Sequence, residues 1–284
     1  MISYNYKETV TLLKIQDVKL TLGGKAILDD VDLEIKDIIQ EGQTRGQVRA
    51  ILGPSGSGKS CLLRIMTGQW KPTEGTVSIA PHYGNDMSND LFPVEPGMIG
   101  VVAQNYPLFN HLTLLDNLVL AAKQAKLSKK DAVDKSRELL TKFELIEHQD
   151  KWIHQLSGGQ RQRSAILQQV LVGRRFLAMD EPFSGLDPVS LTKVLHLIED
   201  LTTENEFNTI ILITHDISAA IRIADHMHIL GRKFDKEGKL IRAARFVDEI
   251  NLMEEGIAWR PHKRELPQFV DVLHRVEELF KTKI

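Results

Sequence analysis

The chain has 284 residues, 42% hydrophobic and 26% charged, which is the composition of an ordinary soluble globular protein of one large or two modest domains and excludes a long disordered chain. Its 36 Lys and Arg residues nearly balance its 38 Asp and Glu residues, which argues against a protein that holds nucleic acid through bulk positive charge. We see neither a membrane-spanning apolar stretch nor a signal peptide, and the single cysteine, Cys61, cannot form an internal disulfide, so we expect a cytoplasmic protein.

Strand-like and helical segments alternate along the chain in the manner of an α/β protein. Residues 13–22 and 27–35 alternate apolar and polar side chains on either side of Gly23 and Gly24, which predicts an antiparallel hairpin and hence a β-lobe. Short apolar segments further along predict buried parallel strands. These segments are residues 48–52, 100–103, 176–179, 210–214 and 226–230.

A long stretch between two of these strands is predicted to be helical. Residues 114–125 and 128–143 have helical spacing, and Ser128 with Asp131 resembles a capping box. We therefore predict a helical subdomain over 104–156. It is inserted into a β-lobe and sheet core that comprise residues 13–103 and 157–231.

Three other segments complete a single domain over 1–284. Residues 81–97 are rich in Asn, Asp, Pro and Gly, which predicts a loop or hairpin, and residues 235–238 predict a hairpin turn. Residues 267–284 have the spacing of an amphipathic helix. The extension 232–284 is thus predicted to be a hairpin followed by a closing helix.

A glycine-rich motif lies between the predicted strand 48–52 and a helical run. Such glycines let successive backbone N–H groups surround phosphate oxygens at a helix N-terminus, whose dipole favours an anion. In this P-loop we expect Lys59 to reach the β- and γ-phosphates of a nucleotide and the Ser60 hydroxyl to bind Mg²⁺. The predicted nucleotide-binding residues here are Gly53, Pro54, Ser55, Gly56, Ser57, Gly58, Lys59, Ser60 and the adjoining Cys61.

Two adjacent carboxylates, Asp180 and Glu181, end the predicted strand 176–179 as in a Walker B motif. Neighbouring side chains at a strand end project in different directions. We therefore expect Asp180 to hold Mg²⁺ and Glu181 to face a water that attacks the γ-phosphate.

The segment Leu156-Ser157-Gly158-Gly159-Gln160 precedes a further helical run, and it offers a hydroxyl and N–H groups to a second phosphate contact. With this segment, the P-loop and the Asp-Glu pair, the chain resembles the ATP-binding subunits of ABC transporters over about residues 13–231. It is most similar to importers of polar amino acids. The resemblance extends to Gln104 as the glutamine loop, Asp187 in the D-loop and His215 as the switch histidine.

The resemblance implies a P-loop NTPase core of mainly parallel sheet. It also implies that two copies pair head to tail, with each ATP between the P-loop of one copy and the signature segment, residues 156–160, of the other. By the same resemblance His215 steadies the γ-phosphate and the attacking water, Gln104 contacts Mg²⁺, and Asp187 links the two sites.

Three positions depart from the family pattern. Leu22 stands where an aromatic side chain usually stacks on adenine, so we expect loose base selectivity unless Tyr4 or Tyr6 folds back over the base. Residues 37–46 form an insert without a functional interpretation. Ala103 replaces an aromatic residue that is common just before the glutamine loop.

Other notable side chains are interpreted as structural. His226 and His228 share a strand face, but no third metal ligand is in view, and we interpret them as residues of an edge strand. We interpret Arg174 and Arg175 as solvent-exposed residues at the start of the strand 176–179 rather than as a binding patch.

The resemblance predicts an ATPase that drives solute movement through a separate integral-membrane permease, from the inner face of the cell membrane. Residues 106–118 are similar to the family's docking region for a permease. Import of a small polar solute such as an amino acid is favoured, with an extracytoplasmic solute-binding protein as a candidate partner and no nucleic acid. An exporter or lipid-trafficking system, and a soluble ABC ATPase outside transport, are the alternatives.

Overall fold

A ten-stranded sheet organises the computed structural model, which describes residues 6–40, 45–80, 90–204, 208–234, 240–260 and 262–282. In chain order the strands are β1 (Tyr6–Leu22), β2 (Lys25–Gln40), β3 (Gln47–Leu52), β4 (Glu74–Ile79), β5 (Phe92–Pro93), β6 (Ile99–Val102), β7 (Phe176–Asp180), β8 (Thr209–Thr214), β9 (His226–Phe234) and β10 (Leu240–Asn251). Their spatial order is β5-β4-β1-β2-β10-β9-β3-β8-β7-β6.

Strands β6, β7, β8 and β3 form a parallel half of the sheet, and β9 pairs parallel to β3. Every residue of β3 and β8 is buried, as expected for strands covered on both faces. The five predicted parallel strands are confirmed, with β9 running on to Phe234. Because the strands are parallel, the carboxyl ends of β3, β7 and β8 meet at one edge of the sheet.

The hairpin of β1 and β2 forms the β-lobe together with the antiparallel strand β4. Gly23 and Gly24 close its turn with φ of 55° and 75°, a left-handed conformation that glycine adopts readily. Both strands continue beyond the predicted ranges, and Glu8 pairs with Ile38. The start of the 37–46 insert is therefore an extension of β2, paired with an extension of β1.

The far end of this ribbon contacts the C-terminal part of the chain. The Tyr6 hydroxyl accepts a hydrogen bond from Asn251 Nδ2 at 2.7 Å and donates one to Glu254 Oε1 at 3.1 Å. The Tyr6 ring meets the Trp259 ring edge-on at 6.2 Å, and the Arg45 guanidinium lies over Trp259 at 5.8 Å. The start of β1 and the described part of the insert thus contact the C-terminal extension. Residues 41–44 of the insert lie outside the described residues.

Helices cover the sheet and form an insertion of their own. Helix α2 packs against both α3 and α4, and Thr113 and Ser128 cap α2 and α3 by accepting hydrogen bonds from backbone N–H groups. The helices are α1 (Lys59–Met66), α2 (Leu114–Gln124), α3 (Lys129–Lys142), α4 (Gly158–Val172), α5 (Pro188–Glu204), α6 (Ile217–Ile223) and α7 (Pro267–Thr282). None of these helices is long and apolar enough to cross a membrane.

The predicted fold class is confirmed: an α/β core of mainly parallel sheet with an antiparallel β-lobe and an inserted helical subdomain. The predicted helices over 114–125, 128–143 and 267–284 correspond to α2, α3 and α7. The predicted turn at 235–238 lies outside the described residues, although β9 and β10 on either side of it pair antiparallel. Residues 81–89 of the predicted loop also lie outside them, and Arg174 is exposed just before β7.

One sequence interpretation is wrong, because His226 and His228 do not lie on an edge strand. Strand β9 lies between β10 and β3, and both imidazoles are 4% exposed. His226 Nδ1 lies 3.3 Å from Glu249 Oε1, and the Arg49 side chain is buried beside this group. Alternation along one strand does not tell which strands will flank it, so the position of β9 inside the sheet could not be predicted locally.

We expect the burial of His228 to make the protein less stable in acid. Burial lowers the pKa of His228 from 6.5 to about 3, with Arg49 and His226 adding to the effect and Glu249 opposing it. Below pH 6.5 the unfolded chain therefore binds a proton that the folded chain does not bind. Lowering the pH from 7 to 5 should reduce the free energy of unfolding by about 2 kcal/mol from this residue alone.

Urea denaturation at both pH values measures this effect, with His228→Gln as the test variant and the exposed His196→Gln as its control. The loss at pH 5 should shrink in the first variant and persist in the second. Glu249 does not blur the comparison, because its pKa is lowered to about 2 and its contribution is lost at lower pH. Equal losses in both variants would contradict the assignment to His228.

Candidate nucleotide site

Three strand ends bring the predicted P-loop, the Asp-Glu pair and the predicted switch histidine together. Leu52 at the end of β3 pairs with Thr214 at the end of β8, and Asp180 at the end of β7 pairs with Ile213. His215 follows β8 directly. The parallel register thus places three groups that are far apart in the sequence at one edge of the sheet.

The phosphate cradle, residues 53–60, curves from β3 into α1. Gly56 and Gly58 have φ of 79° and 100°, where side chains are strained, and Gly58 precedes the first residue of α1. A Cβ at Gly53 would lie 2.5 Å from the Leu230 carbonyl oxygen. The Ser57 side chain is buried and its Oγ has no hydrogen-bond partner among the described residues, as expected for a hydroxyl that a ligand would complete.

The Lys59 ammonium lies inside this cradle. Its Nζ donates hydrogen bonds to the carbonyl oxygens of Gly53 at 2.7 Å and Pro54 at 3.1 Å, and it lies 3.5 Å from Glu181 Oε1. The side chain is buried, so its charge acts in a poorly screened environment. These contacts hold the ammonium where a bound phosphate group would meet it.

Two oxygen-bearing side chains face each other beside the cradle. The Ser60 hydroxyl donates a hydrogen bond to Asp180 Oδ1 at 3.2 Å. Burial raises the pKa of Asp180, while the hydrogen bond from Ser60 lowers it. A carboxylate and a hydroxyl this close offer the hard oxygen ligands that Mg²⁺ prefers, so the residues present fit that ion.

The Glu181 carboxylate is held by the chain that leaves β8. His215 Nδ1 lies 2.8 Å from Glu181 Oε2, and the Thr214 hydroxyl donates to the same oxygen at 3.2 Å. Glu181 has a φ of 49°, and its backbone N–H donates to the Ile213 carbonyl at 2.7 Å. A non-glycine residue in this conformation is held by its surroundings, as is frequent at functional sites. The carboxylate can accept a proton from a water beside the cradle.

Two residues near Glu181 were not predicted as site residues. Thr214 is one, and its position immediately before the predicted switch histidine is the sequence signal that could have identified it. Tyr106 is the other, and it belongs to residues 106–118, whose resemblance is to the docking region. Burial and then the negative charge of Glu181 raise the pKa of Tyr106, so its hydroxyl lies within the electrostatic reach of that carboxylate.

The signature segment lies apart from the cradle of its own chain. Ser157 caps α4 by accepting a hydrogen bond from the Gln160 N–H at 3.2 Å, and Gln160 Oε1 accepts one from the Ser157 N–H at 2.8 Å. A Cβ at Gly158 would meet nothing within 4 Å, so this backbone is open to a ligand. Among the described residues, no hydrogen bond or ion pair joins the segment to the cradle.

The remaining predicted site residues lie in loops and on α1. Asp187 caps α5, and the hydrogen bond from the Ser190 hydroxyl lowers the pKa of Asp187. Gln104 follows β6 and is exposed, and Cys61 is partly exposed on α1. The structure therefore brings Lys59, Ser60, Asp180, Glu181 and His215 together. Among the described residues, no hydrogen bond or ion pair joins the signature segment or Asp187 to this group.

Comparisons with known proteins agree with this geometry. The family model described as ABC transporter matches residues 38–184. The chain is 33% identical over 233 residues to the glutamate/aspartate import ATP-binding protein GltL of Escherichia coli K12. The alignment covers 81% of this chain and 89% of GltL.

Two solved structures share the fold. The dimeric post-hydrolysis structure of the ATP-binding cassette MJ0796 bound to ADP and Pi has a TM-score of 0.64 and 28% identity, and the match covers 85% of this chain and 99% of that chain. The structure of cbiO1 from Clostridium perfringens, part of the ABC transporter complex cbiONQ, has a TM-score of 0.67 and 26% identity over 96% of this chain and 100% of that chain. With its P-loop fold and ATP site, this chain belongs to the ABC transporter family and is one of its ATP-hydrolysing subunits.

Proposed function

We propose that this chain hydrolyses ATP at the interface of a head-to-tail dimer and thereby drives a small polar solute through a separate permease. The observation that carries the proposal is the Glu181 carboxylate, held between Lys59 and His215 beside the cradle. This arrangement combines phosphate binding with a proton acceptor. A domain that only bound nucleotide would not require the acceptor.

Each residue of the proposed site has a chemical role. Lys59 and the cradle N–H groups neutralise the β- and γ-phosphates. Glu181 accepts the proton of the attacking water while the bond from water oxygen to phosphorus forms and the bond to the ADP oxygen breaks. His215 orients the carboxylate and the γ-phosphate. When bound, Mg²⁺ would supply charge neutralisation, and Ser60, Asp180 and Gln104 are the residues that would hold it.

The signature segment completes the site of a second copy in this proposal. Its open backbone at Gly158 and its capping hydroxyl at Ser157 lie at the N-terminus of α4, where the helix dipole favours a phosphate. The signature segment makes no hydrogen bond to the cradle of its own chain. It would therefore contact the nucleotide held in the cradle of a head-to-tail partner. Asp187 lies at the same surface, since a Cβ at Gly159 would come within 2.9 Å of Ser190 Oγ at the start of α5.

The helical subdomain, residues 104–156, carries the proposed permease contact. Phe109 and Trp152 are 47% and 43% exposed there and are available to a partner. The buried Asn117 side chain fixes the backbone of Phe109 by accepting its N–H at 2.8 Å and donating to its carbonyl at 3.1 Å. The docking segment, residues 106–118, therefore presents the exposed Phe109 ring on a backbone that Asn117 holds in place.

The class of solute rests on the relatives. GltL is named for glutamate and aspartate import. We therefore propose import of an amino acid or another small polar solute, with an extracytoplasmic solute-binding protein as the delivering partner. The chain would then lie on the cytoplasmic face of the membrane through its permease.

Copurification from detergent-solubilised membranes tests the transport assignment. A tagged chain should retain an integral-membrane permease, and Phe109→Glu should release it. The matched control is Phe92→Glu, which changes an equally exposed phenylalanine in β5. Retention of the permease by Phe109→Glu would refute the docking segment, and an active ATPase that retains no membrane protein would refute the transport role.

Base selectivity offers a separate prediction. Leu22 is 40% exposed at the end of β1, and Tyr6, the described candidate for a substitute aromatic, is engaged by the C-terminal extension. Tyr4, the other candidate, lies outside the described residues. If no aromatic side chain stacks on the base, GTP should compete with ATP within about threefold. Leu22→Tyr should tighten ATP binding by about two- to tenfold through a stacking contact.

Competition with a fluorescent ATP analogue measures both values. Leu120→Tyr is the control, because Leu120 is 39% exposed on α2, outside the cradle. A strong preference for ATP in the unaltered chain would show that another group recognises adenine.

A further inference from the structure

A second charged cavity lies outside the nucleotide site. It has a volume of about 450 Å³ and is formed by α5, the end of α6 and the segment that precedes α7. A cavity of this size is within the range of small-molecule sites. None of its lining residues belongs to the phosphate cradle or to the signature segment.

The lining of this basic cavity carries excess positive charge. Its cationic side chains are Arg222, Arg260, Lys263 and Arg264, and its acidic ones are Glu199 and Glu265. Within the part of the chain that the structure describes, none of the three guanidinium groups has a carboxylate oxygen within 4.0 Å. The Glu265 carboxylate instead lies beside His262, with Oε1 3.8 Å from Nδ1.

The positive charges of the basic cavity also lie close to one another. Burial lowers the pKa of Arg222, and the charge of Arg264 lowers it further. Burial also lowers the pKa of Lys263; the charges of Asp225 and Glu199 oppose this, and those of Arg45 and Arg222 add to it. An anion in the cavity would relieve both effects, because it replaces lost hydration and offsets the mutual repulsion.

The walls of the cavity are held in place without a ligand. Lys263 Nζ donates a hydrogen bond to the Arg222 carbonyl at 2.8 Å, which ties the segment before α7 to the last turn of α6. Helices α6 and α7 also pack against each other. The guanidinium groups are therefore presented from a fixed frame, which lowers the entropic cost of binding.

We propose that this basic cavity binds an anion that carries a phosphate group with two negative charges. Three guanidinium groups offer forked donors that match the oxygens of a phosphate. A doubly charged phosphate would also balance the excess of four cationic over two acidic side chains in the lining. A soluble phosphate compound and a phosphate headgroup of a lipid share this chemistry, and the experiment distinguishes them.

Calorimetric titration with sodium pyrophosphate tests the soluble form. All chains compared carry Lys59→Ala, so any remaining binding at the cradle is the same in each. The chain with intact arginines should bind pyrophosphate, and Arg222→Gln with Arg264→Gln should weaken that binding by about tenfold or more. Arg137→Gln removes a surface arginine of α3 that hydrogen-bonds Gln149, and it should leave binding unchanged.

Sedimentation with vesicles tests the lipid form. Vesicles of phosphatidylcholine with phosphatidic acid are compared with vesicles of phosphatidylcholine alone. Binding that needs phosphatidic acid and both arginines, without pyrophosphate binding, identifies a lipid headgroup as the ligand. If the double variant does not fold in a thermal-unfolding control, Arg264→Gln alone serves, because Arg264 is exposed. The proposal is overturned if the arginine variant and the Arg137→Gln control bind pyrophosphate equally and bind phosphatidic acid vesicles equally. It is also overturned if neither chain binds either probe.

Discussion

Replacing Glu181 with Gln should lower the rate of ATP hydrolysis by about 100-fold or more and leave ATP binding intact. The amide can still accept hydrogen bonds from Thr214 and the His215 backbone, but it cannot take a proton from the attacking water. Lys59 keeps its contacts with the Gly53 and Pro54 carbonyls, so the cradle is preserved. Steady-state phosphate release and equilibrium ATP binding, measured on the same preparation, separate the two effects.

A dimer that persists in ATP is the second expected property of this variant. If bound ATP joins two copies and hydrolysis separates them, the Glu181→Gln variant should elute at twice the monomer mass with ATP and as a monomer with ADP. Glu74→Gln is the control, since it also removes an ion-paired carboxylate, here on the exposed surface of β4. A hydrolysis rate within about threefold of the unaltered chain would remove Glu181 as the base.

The parts of the site that could be predicted are formed by residues that are neighbours in the sequence. The cradle needs glycines at a strand-to-helix turn, and Gly56 and Gly58 do have the positive φ that this turn requires. Asp180 and Glu181 were identified because an apolar strand ends there. In both cases a few neighbouring residues determine the local backbone, so the pattern is sufficient.

The parts that could not be predicted depend on which segments pair in three dimensions. The 37–46 insert gave no functional signal because its partner, the extended start of β1, lies about 30 residues away, and their pairing needs the whole ribbon. The pattern around His226 and His228 does not reveal that β9 lies inside the sheet, because one strand does not encode the strand order. The influence of Glu181 on Tyr106 likewise arises from folding of the loop after β6 toward the end of β7.

The signature segment shows the same limit between two molecules. Its sequence identified Ser157 as a phosphate contact, yet within one chain that serine only caps α4. The signature motif is present in full, yet it makes no hydrogen bond to the cradle of its own chain, which favours a site shared with a partner. The composite site therefore stands as a proposal that a mutation in each half can test.

Replacing Ser157 with Arg should lower ATP hydrolysis by about 100-fold or more, while a single chain binds ATP as tightly as before. The bulky cation would fill the surface on which a partner's nucleotide is expected to lie, whereas the chain's own cradle is untouched. Ser128→Arg is the matched control, because Ser128 caps α3 in the same way and its loss should cost about 1 kcal/mol of stability.

Mixing two inactive variants gives the sharper result. Ser157→Arg retains an intact cradle and Lys59→Ala retains an intact signature segment, so a head-to-tail dimer of the two contains one complete site. The mixture should therefore hydrolyse ATP at a rate that neither variant reaches alone. No recovery on mixing, with both variants shown to be folded, would mean that the cradle and the signature segment of different copies do not form one site.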